Sequence, residues 1–268
     1  MATAKKTDAL EVKPDSALAI YDYGDQAGAG WEETDADDFS VPFIKQMQSM
    51  SPEVDQTEGT YVEGAKPGLF YNTATKELME SFEFIVAKRE HIFIEWVPDN
   101  GGFVGIHQKD SAVVAEATAN AVDRNKLVTP LGNQLIDTFQ LYLGILNADG
   151  TDVEDFAIMS FTSTKQKPYR DMMTRLRTLK GSKNIPLFAH RSKMVPVKQQ
   201  NKKGEKFFNV SLEPMLGSTQ ESLLDPNNAV HRGILEKAQA FVESLATGER
   251  TVKYEAPTAS GESTDEVF

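Results

Sequence analysis

The sequence predicts a mainly β, α+β domain between two acidic termini. Three observations predict it. Apolar residues alternate with polar ones over much of Phe82–Trp96, the pattern of half-buried strands. Phe139, Leu141, Leu143 and Ile145 alternate again, and the turn-forming run NADGTD at 147–152 leads into another strand-like stretch, DFAIMSFTST. Helical patterning is confined to a few segments between and after these strands.

Taken in order, residues 1–38 read as an acidic flexible arm, with ten acids against Lys13 alone between Asp8 and Asp38. Phe39, Val41, Phe43, Ile44 and Met47 form the first apolar cluster, bracketed by Pro42 and Pro52, and predict a strand followed by a short helical turn. YVEGAKPGLFYNTATKEL reads as strand, turn, strand, with turn chemistry at Asn72–Lys76. Phe82, Phe84 and Val86 then alternate, as do Ile92, Ile94 and Trp96. The charged KRE between them marks either a turn or a bend in one long strand.

Ser111 opens an Ala-rich helix near 111–122. After the strand-like stretches QLIDTFQLYLGIL and DFAIMSFTST, KPYRDMMTRLRTLKG predicts a helix with Pro168 near its start and Gly181 past its end. Met172, Leu176 and Leu179 share one of its faces; Arg170 and Arg177 fall on another. Two strands joined by NKKGE follow, and Pro196 demotes the first to an edge strand. Val230, Ile234, Ala238, Phe241, Val242 and Leu245 trace an amphipathic helix at about 229–246, with Gly248 as the residue that ends it. Residues 39–255 are thus expected to form one domain and 256–268 an acidic tail. No internal repeat is visible.

Several function classes lack their residues. Cysteine is absent, which removes disulfides, thiolate metal sites and Cys nucleophiles, and fits a reducing cytoplasm. No apolar run is long enough to span a membrane. His91, His107, His190 and His231 lie in no metal-ligand spacing such as H-E-x-x-H. TDADD at 34–38 sits in the acidic arm, where no preformed oxygen cage is expected. There is no P-loop and no G-x-S-x-G elbow, and DNGGFVG does not match the dinucleotide fingerprint. No catalytic residue, cofactor or metal is therefore expected.

The informative feature is charge distribution. The chain has a net charge of −12, yet the window from Lys165 to Lys206 holds 13 Lys/Arg and only two acids, Asp171 and Glu205. That window is +11 and the remainder is −23. A solvated basic face is the plain reading of such a run. Two details point further: the cations fall on several folded elements, and aromatics lie among them. Cations that track phosphates, beside rings that stack on bases, are the ingredients of a single-strand binder. The candidate contacts are Lys165, Lys167, Arg170, Arg175, Arg177, Lys180, Arg191, Lys193, Lys198, Lys202, Lys203 and Lys206 for phosphates. Tyr169, Phe188, Phe207, Phe208 and Trp96 are the candidates for bases. Phe207 and Phe208 point to opposite faces of one strand, so only one of them can face a groove.

The chain ends in SGESTDEVF. Glu262, Asp265 and Glu266 are acids, and Val267 and Phe268 restore an apolar end. Such a tail can compete with nucleic acid for a basic groove, and its terminal ring and carboxylate can dock in a pocket of a partner. With Asp265, Glu266 and Phe268, it resembles the tails of phage-encoded single-stranded DNA-binding proteins. Bacterial relatives of that kind place Pro before the last Phe, where Val267 stands here, and carry more acids. DDFSVPFIKQMQSMSPEV, YVEGAKPGLFYNT and AIMSFTSTKQKPYRDMMTRL resemble phage early-region proteins, uncharacterised or of DNA-replication type.

The resemblance implies an OB-like five-stranded Greek-key barrel with a helix between its third and fourth strands, decorated by the later helices and the hairpin. It also implies sequence-independent binding of single-stranded DNA in phage replication or recombination, with phage or host replication proteins recruited through the tail, in the host cytoplasm. Two rivals stand beside it. One is a strand-annealing recombination protein. The other is an acidic DNA mimic that inhibits a host factor, which the N-terminal acids favour and the +11 window opposes.

Overall fold

The structure is a computed structural model, and it describes residues 29–30, 40–98, 101–123, 126–178, 185–215 and 223–254. The arm before Ser40 (Ala29 and Gly30 apart), Lys180 and the tail from 255 onward lie outside the described residues.

A small antiparallel sheet comes first, β1 (Ile44–Gln46), β2 (Phe70–Asn72) and β3 (Leu78–Met79), in that spatial order. The large sheet follows. Its centre is two long antiparallel strands, β4 (Phe82–Val97) and β7 (Gln134–Leu146), paired from Phe84–Ile145 to Trp96–Gln134. Each has different neighbours along its two halves. The first half of β4 meets β9 (Arg191–Gln200), and its second half meets β5 (Gly102–Gln108). The start of β7 meets β6 (Leu127–Val128), and the rest meets β8 (Val153–Phe161). β10 (Lys206–Pro214) lies outside β9.

The expected β-rich architecture is therefore present, but the five-stranded barrel is replaced by an open seven-stranded antiparallel sheet. Among the described residues no ladder joins β10 to β8 or β5 to β6. The central strands change partners along their length, β4 from β9 to β5 and β7 from β6 to β8.

The KRE segment resolves as a bend in one strand. A β-bulge between Val86 and Lys88 inserts one extra residue into β4. Before it, the even-numbered Phe82, Phe84 and Val86 face one core. After it, the odd-numbered Arg89 and His91 lie opposite Leu141 and Phe139, which belong to that same core. The bulge thus moves Ile92, Ile94 and Trp96 to the other side of the sheet, into a separate apolar cluster.

Among the described residues, three α-helices cover the sheet. α1 (Ala112–Asn120) is capped by Ser111, whose Oγ accepts from Val114 N, and packs Val114 and Ala117 onto Phe93, Leu127 and Leu135. α2 (Gln166–Thr178) buries Tyr169, Met172 and Leu176 in the main core with Phe84, Phe139, Phe161 and Met194. These positions share one face by helical spacing. On the opposite side of the sheet, α3 (Ala229–Thr247) packs Ile234, Ala238 and Phe241 against Ile85, Tyr142 and Ile158. Full burial of each large side chain contributes about 1.5–3 kcal/mol. Gly248 ends α3 at φ 78, a left-handed conformation that favours glycine.

Pro196 fits an inner strand for a local reason. β9 is flanked by both β4 and β10 only from Ser192 to Met194. Beyond Met194 its β4 side carries no ladder, and Pro196 sits there opposite Val210 of β10.

Candidate nucleic-acid interface

Between the first turns of α2, the start of β7 and the β9–β10 hairpin is a cleft of about 890 Å³. Lys167, Arg170 and Arg175 line it from α2, and Lys126 lines it from the segment before β6. Gln199 and Asn209 line the hairpin side. Asn209 Nδ2 donates to Thr164 O at 3.2 Å and to Gln199 Oε1 at 3.1 Å, which ties the hairpin to the turn before α2.

Two acids also line the cleft, Asp137 and Asp171. Asp137 is engaged: its Oδ1 lies 2.6 Å from His91 Nε2. Gln166 Nε2 donates to the Asp137 carbonyl at 2.8 Å, and Arg170 donates to Gln166 Oε1 at 2.7 Å. Arg170 also stands 5.4 Å from the centre of the Phe139 ring. These contacts hold the Arg170 side chain at the cleft wall, where it stays exposed.

The predicted cations thus divide. Lys167, Arg170 and Arg175 come together in the cleft. Arg177, also exposed on α2, is not among its lining residues. Arg191 pairs with Glu83 at 2.8 Å, and Lys193 faces the same Glu83 across the β4–β9 ladder. Lys198 stands over the Phe208 ring at 5.8 Å, and Lys202, Lys203 and Lys206 are exposed at the hairpin turn. Lys165 lines a different groove, of about 470 Å³, with Lys45, Lys253, Phe43, Trp96 and Tyr254.

The predicted rings are placed less favourably. Tyr169 is only 3% exposed and stacks on Phe139 with ring centres 4.4 Å apart, with Phe161 at 5.8 Å. Burial pushes its phenol up, against the opposing pull of a hydrogen bond from Arg89 and the charges of Arg89 and Arg170. Phe188 packs with the α3 core on the far side of the sheet. Phe208 lies against Gly68. Trp96 is 9% exposed and meets Phe103 edge-on. These rings serve the packing because α2 and the strands must bury apolar faces, and aromatics supply most area per residue. Phe207 remains half-buried opposite Gln199, on the strand face that carries Asn209.

Lys126 and Asn209 were missed by sequence reasoning, since only the fold brings them beside α2. The aromatic groove around Tyr254 was missed as well. Phe103 stacks on Tyr254 at 5.2 Å, Phe43 meets it edge-on at 5.7 Å, and its hydroxyl donates to Gln140 Oε1 at 2.8 Å. Burial pushes the Tyr254 phenol up to about 12, despite that hydrogen bond.

A family model for Pam3 phage gp34-like proteins matches residues 6–251. The chain belongs to that family. It is accordingly a phage protein, as the resemblance implied. No curated protein and no solved structure matches the chain. The family match spans α1, α2, α3 and all the strands, so the cleft lies wholly within the part that the Pam3 phage gp34-like family shares. Among the described residues no helix is long and apolar enough to cross a membrane, and no three His, Asp or Glu side chains converge as metal ligands.

Proposed function

We propose that this phage protein binds single-stranded DNA without sequence preference, through the cleft beneath α2. One observation carries the reading. In a chain of net charge −12, Lys126, Lys167, Arg170 and Arg175 line one cleft, and one of its two acids is already held by His91. A focused positive cleft on an acidic body attracts a polyanion while the rest of the surface repels it. A neutral amide at the wall, exposed Gln199, suits sugar and phosphate oxygens.

The mode differs from a stacking-led one. Among the described residues no aromatic side chain lines the cleft, so phosphate contacts supply most of the affinity. Phe207 is the ring placed to stack at the hairpin margin. The tail residues Glu262, Asp265, Glu266, Val267 and Phe268 compete for the same cations and recruit replication or recombination proteins of the phage or its host.

The test is oligo-dT binding by fluorescence anisotropy at several salt concentrations. Log Kd should rise with log salt at about 0.7 per neutralised phosphate. Deleting 257–268 should tighten binding. No binding at low salt overturns the reading; unchanged affinity after the deletion overturns the role of the tail in access.

A further inference from the structure

The groove of about 470 Å³ adjoins the cleft. Ile136 lines both hollows, and the segment before α2 contributes to each: Ser163 and Thr164 to the cleft, Thr162 and Lys165 to the groove. Gln46, in the groove wall, donates from Nε2 to the carbonyl of Asn209, a cleft residue, at 2.8 Å. A DNA strand laid across residues 162–165 therefore passes from one hollow into the other.

The groove offers what the cleft lacks. Its cations are Lys45, Lys165 and Lys253, against one acid, Glu53. Beside them are rings. Phe43 and Tyr254 are half-buried and meet edge to face with centres 5.7 Å apart, and Phe103 backs Tyr254 at 5.2 Å. Trp96 joins the set through its edge contact with Phe103. The polar wall adds a further observation. Gln46 is 7% exposed, and its Oε1 has no hydrogen-bond partner. Its amide nitrogen is committed to Asn209, so the orphan atom is fixed as an acceptor. A buried acceptor without a donor is costly, and such a group calls for a donor from outside the fold.

We propose that this groove is a base-binding subsite on the path of single-stranded DNA. The inference rests on the cleft holding the phosphates of that strand. The strand continues past residues 162–165 and lays an unpaired base against Phe43 and Tyr254, with a base N–H donated to Gln46 Oε1. Chemistry selects the occupant. It carries anionic groups for three lysines, a flat face for the rings and an N–H for Gln46. An unpaired nucleotide supplies all three, in its phosphate, its base and the polar edge of that base. Duplex DNA keeps its base faces stacked away and fails the second condition. The acidic tail, which leaves the described chain beyond Tyr254, meets the first condition, but its carboxylates confront the Gln46 oxygen acceptor to acceptor.

Anisotropy titrations of the full chain with oligo-dT and with an abasic strand of the same length test it, since both carry the same phosphates. The two should show the same salt slope, and the abasic strand should bind about tenfold or more weakly. Phe43→Leu should weaken oligo-dT by most of that ratio and leave the abasic strand unchanged. In the unsubstituted chain, an oligonucleotide carrying 5-iododeoxyuridine should photocrosslink to the peptides that hold Phe43, Trp96 or Tyr254. Equal affinity for the two strands, a ratio unmoved by Phe43→Leu, or crosslinks confined to other peptides overturns the subsite, while the salt slope still supports the cleft. Crosslinks that reach these rings only once 257–268 is deleted make the tail the occupant and overturn it too. A chain that binds neither strand at low salt overturns cleft and subsite together.

Discussion

His107 Nε2 lies 2.6 Å from Glu95 Oε2, fastening β5 to β4 from residues close together in their ladder. The carboxylate is buried, 6% exposed, and Asn133 Nδ2 donates to its other oxygen at 2.7 Å, with Thr129 Oγ1 at 3.4 Å. Burial works against the charge, but these hydrogen bonds and the charge of His107 outweigh it and hold the carboxyl below its usual range.

A lowered folded-state pKa has a definite consequence for pH. The unfolded glutamate binds its proton at about pH 4.3. Above that value the stabilisation from Glu95 is fully present, and it is lost as pH falls through the lower folded value. Acid titration followed by circular dichroism should show β5 loosening in that window. Glu95→Gln should flatten the dependence there. Glu95→Ala, which strands Asn133 and His107, should cost about 1–3 kcal/mol at neutral pH.

Gly68 carries a second prediction. Its φ is 99, and a Cβ there would sit 2.7 Å from the Phe208 ring. Gly68→Ala therefore meets both backbone strain and a clash with a packed ring. Thermal unfolding should show a loss of about 1–3 kcal/mol. Since Phe208 belongs to the hairpin that walls the cleft, oligonucleotide affinity should fall with it.

How much of this was legible in the sequence depended on whether a signal was local. The alternations at Phe82–Val86 and Ile92–Trp96 marked strand accurately, because period-two burial is written residue by residue. The bulge between Val86 and Lys88 was not settled by KRE, since a charged triplet suits a turn and a bend equally. Tyr169, Met172 and Leu176 had core spacing on α2, yet a tyrosine within a basic run also fits a stacking site; packing against Phe139 decides for the core. Arg191 looked like its neighbours in charge, and only the fold shows Glu83 beside it. Lys126 reaches the cleft because β7 turns back beside α2, a meeting of segments distant in sequence that no local pattern records.

Ser163 gives a third prediction. It is a non-glycine residue at φ 45, in the short turn Ser163–Lys165 just before α2, and it lines the cleft. A left-handed conformation costs such a residue about 1–2 kcal/mol, and glycine escapes that at an entropic cost of about 0.5–1 kcal/mol. Ser163→Gly should thus raise unfolding stability by up to about 1 kcal/mol, read from denaturant midpoints at constant slope. Ser163→Val, β-branched, should lower it.

The last prediction separates the cleft from the basic window as a whole. If charge alone mattered, every Lys or Arg from 165 to 206 would contribute alike. The geometry distinguishes them: Arg170 is held at the cleft wall by Gln166 and Phe139, whereas Arg191 is spent on Glu83. Arg170→Ala should weaken oligo-dT and oligo-dA binding to the same extent, and lower the salt slope by about 0.7 for the phosphate it no longer neutralises. Lys167→Ala and Arg175→Ala should do the same. Arg191→Ala should leave the slope unchanged while lowering stability, because Glu83 loses its partner at 30% side-chain exposure. Equal slopes for all four variants would mean that DNA, if bound, follows a diffuse basic surface rather than the cleft.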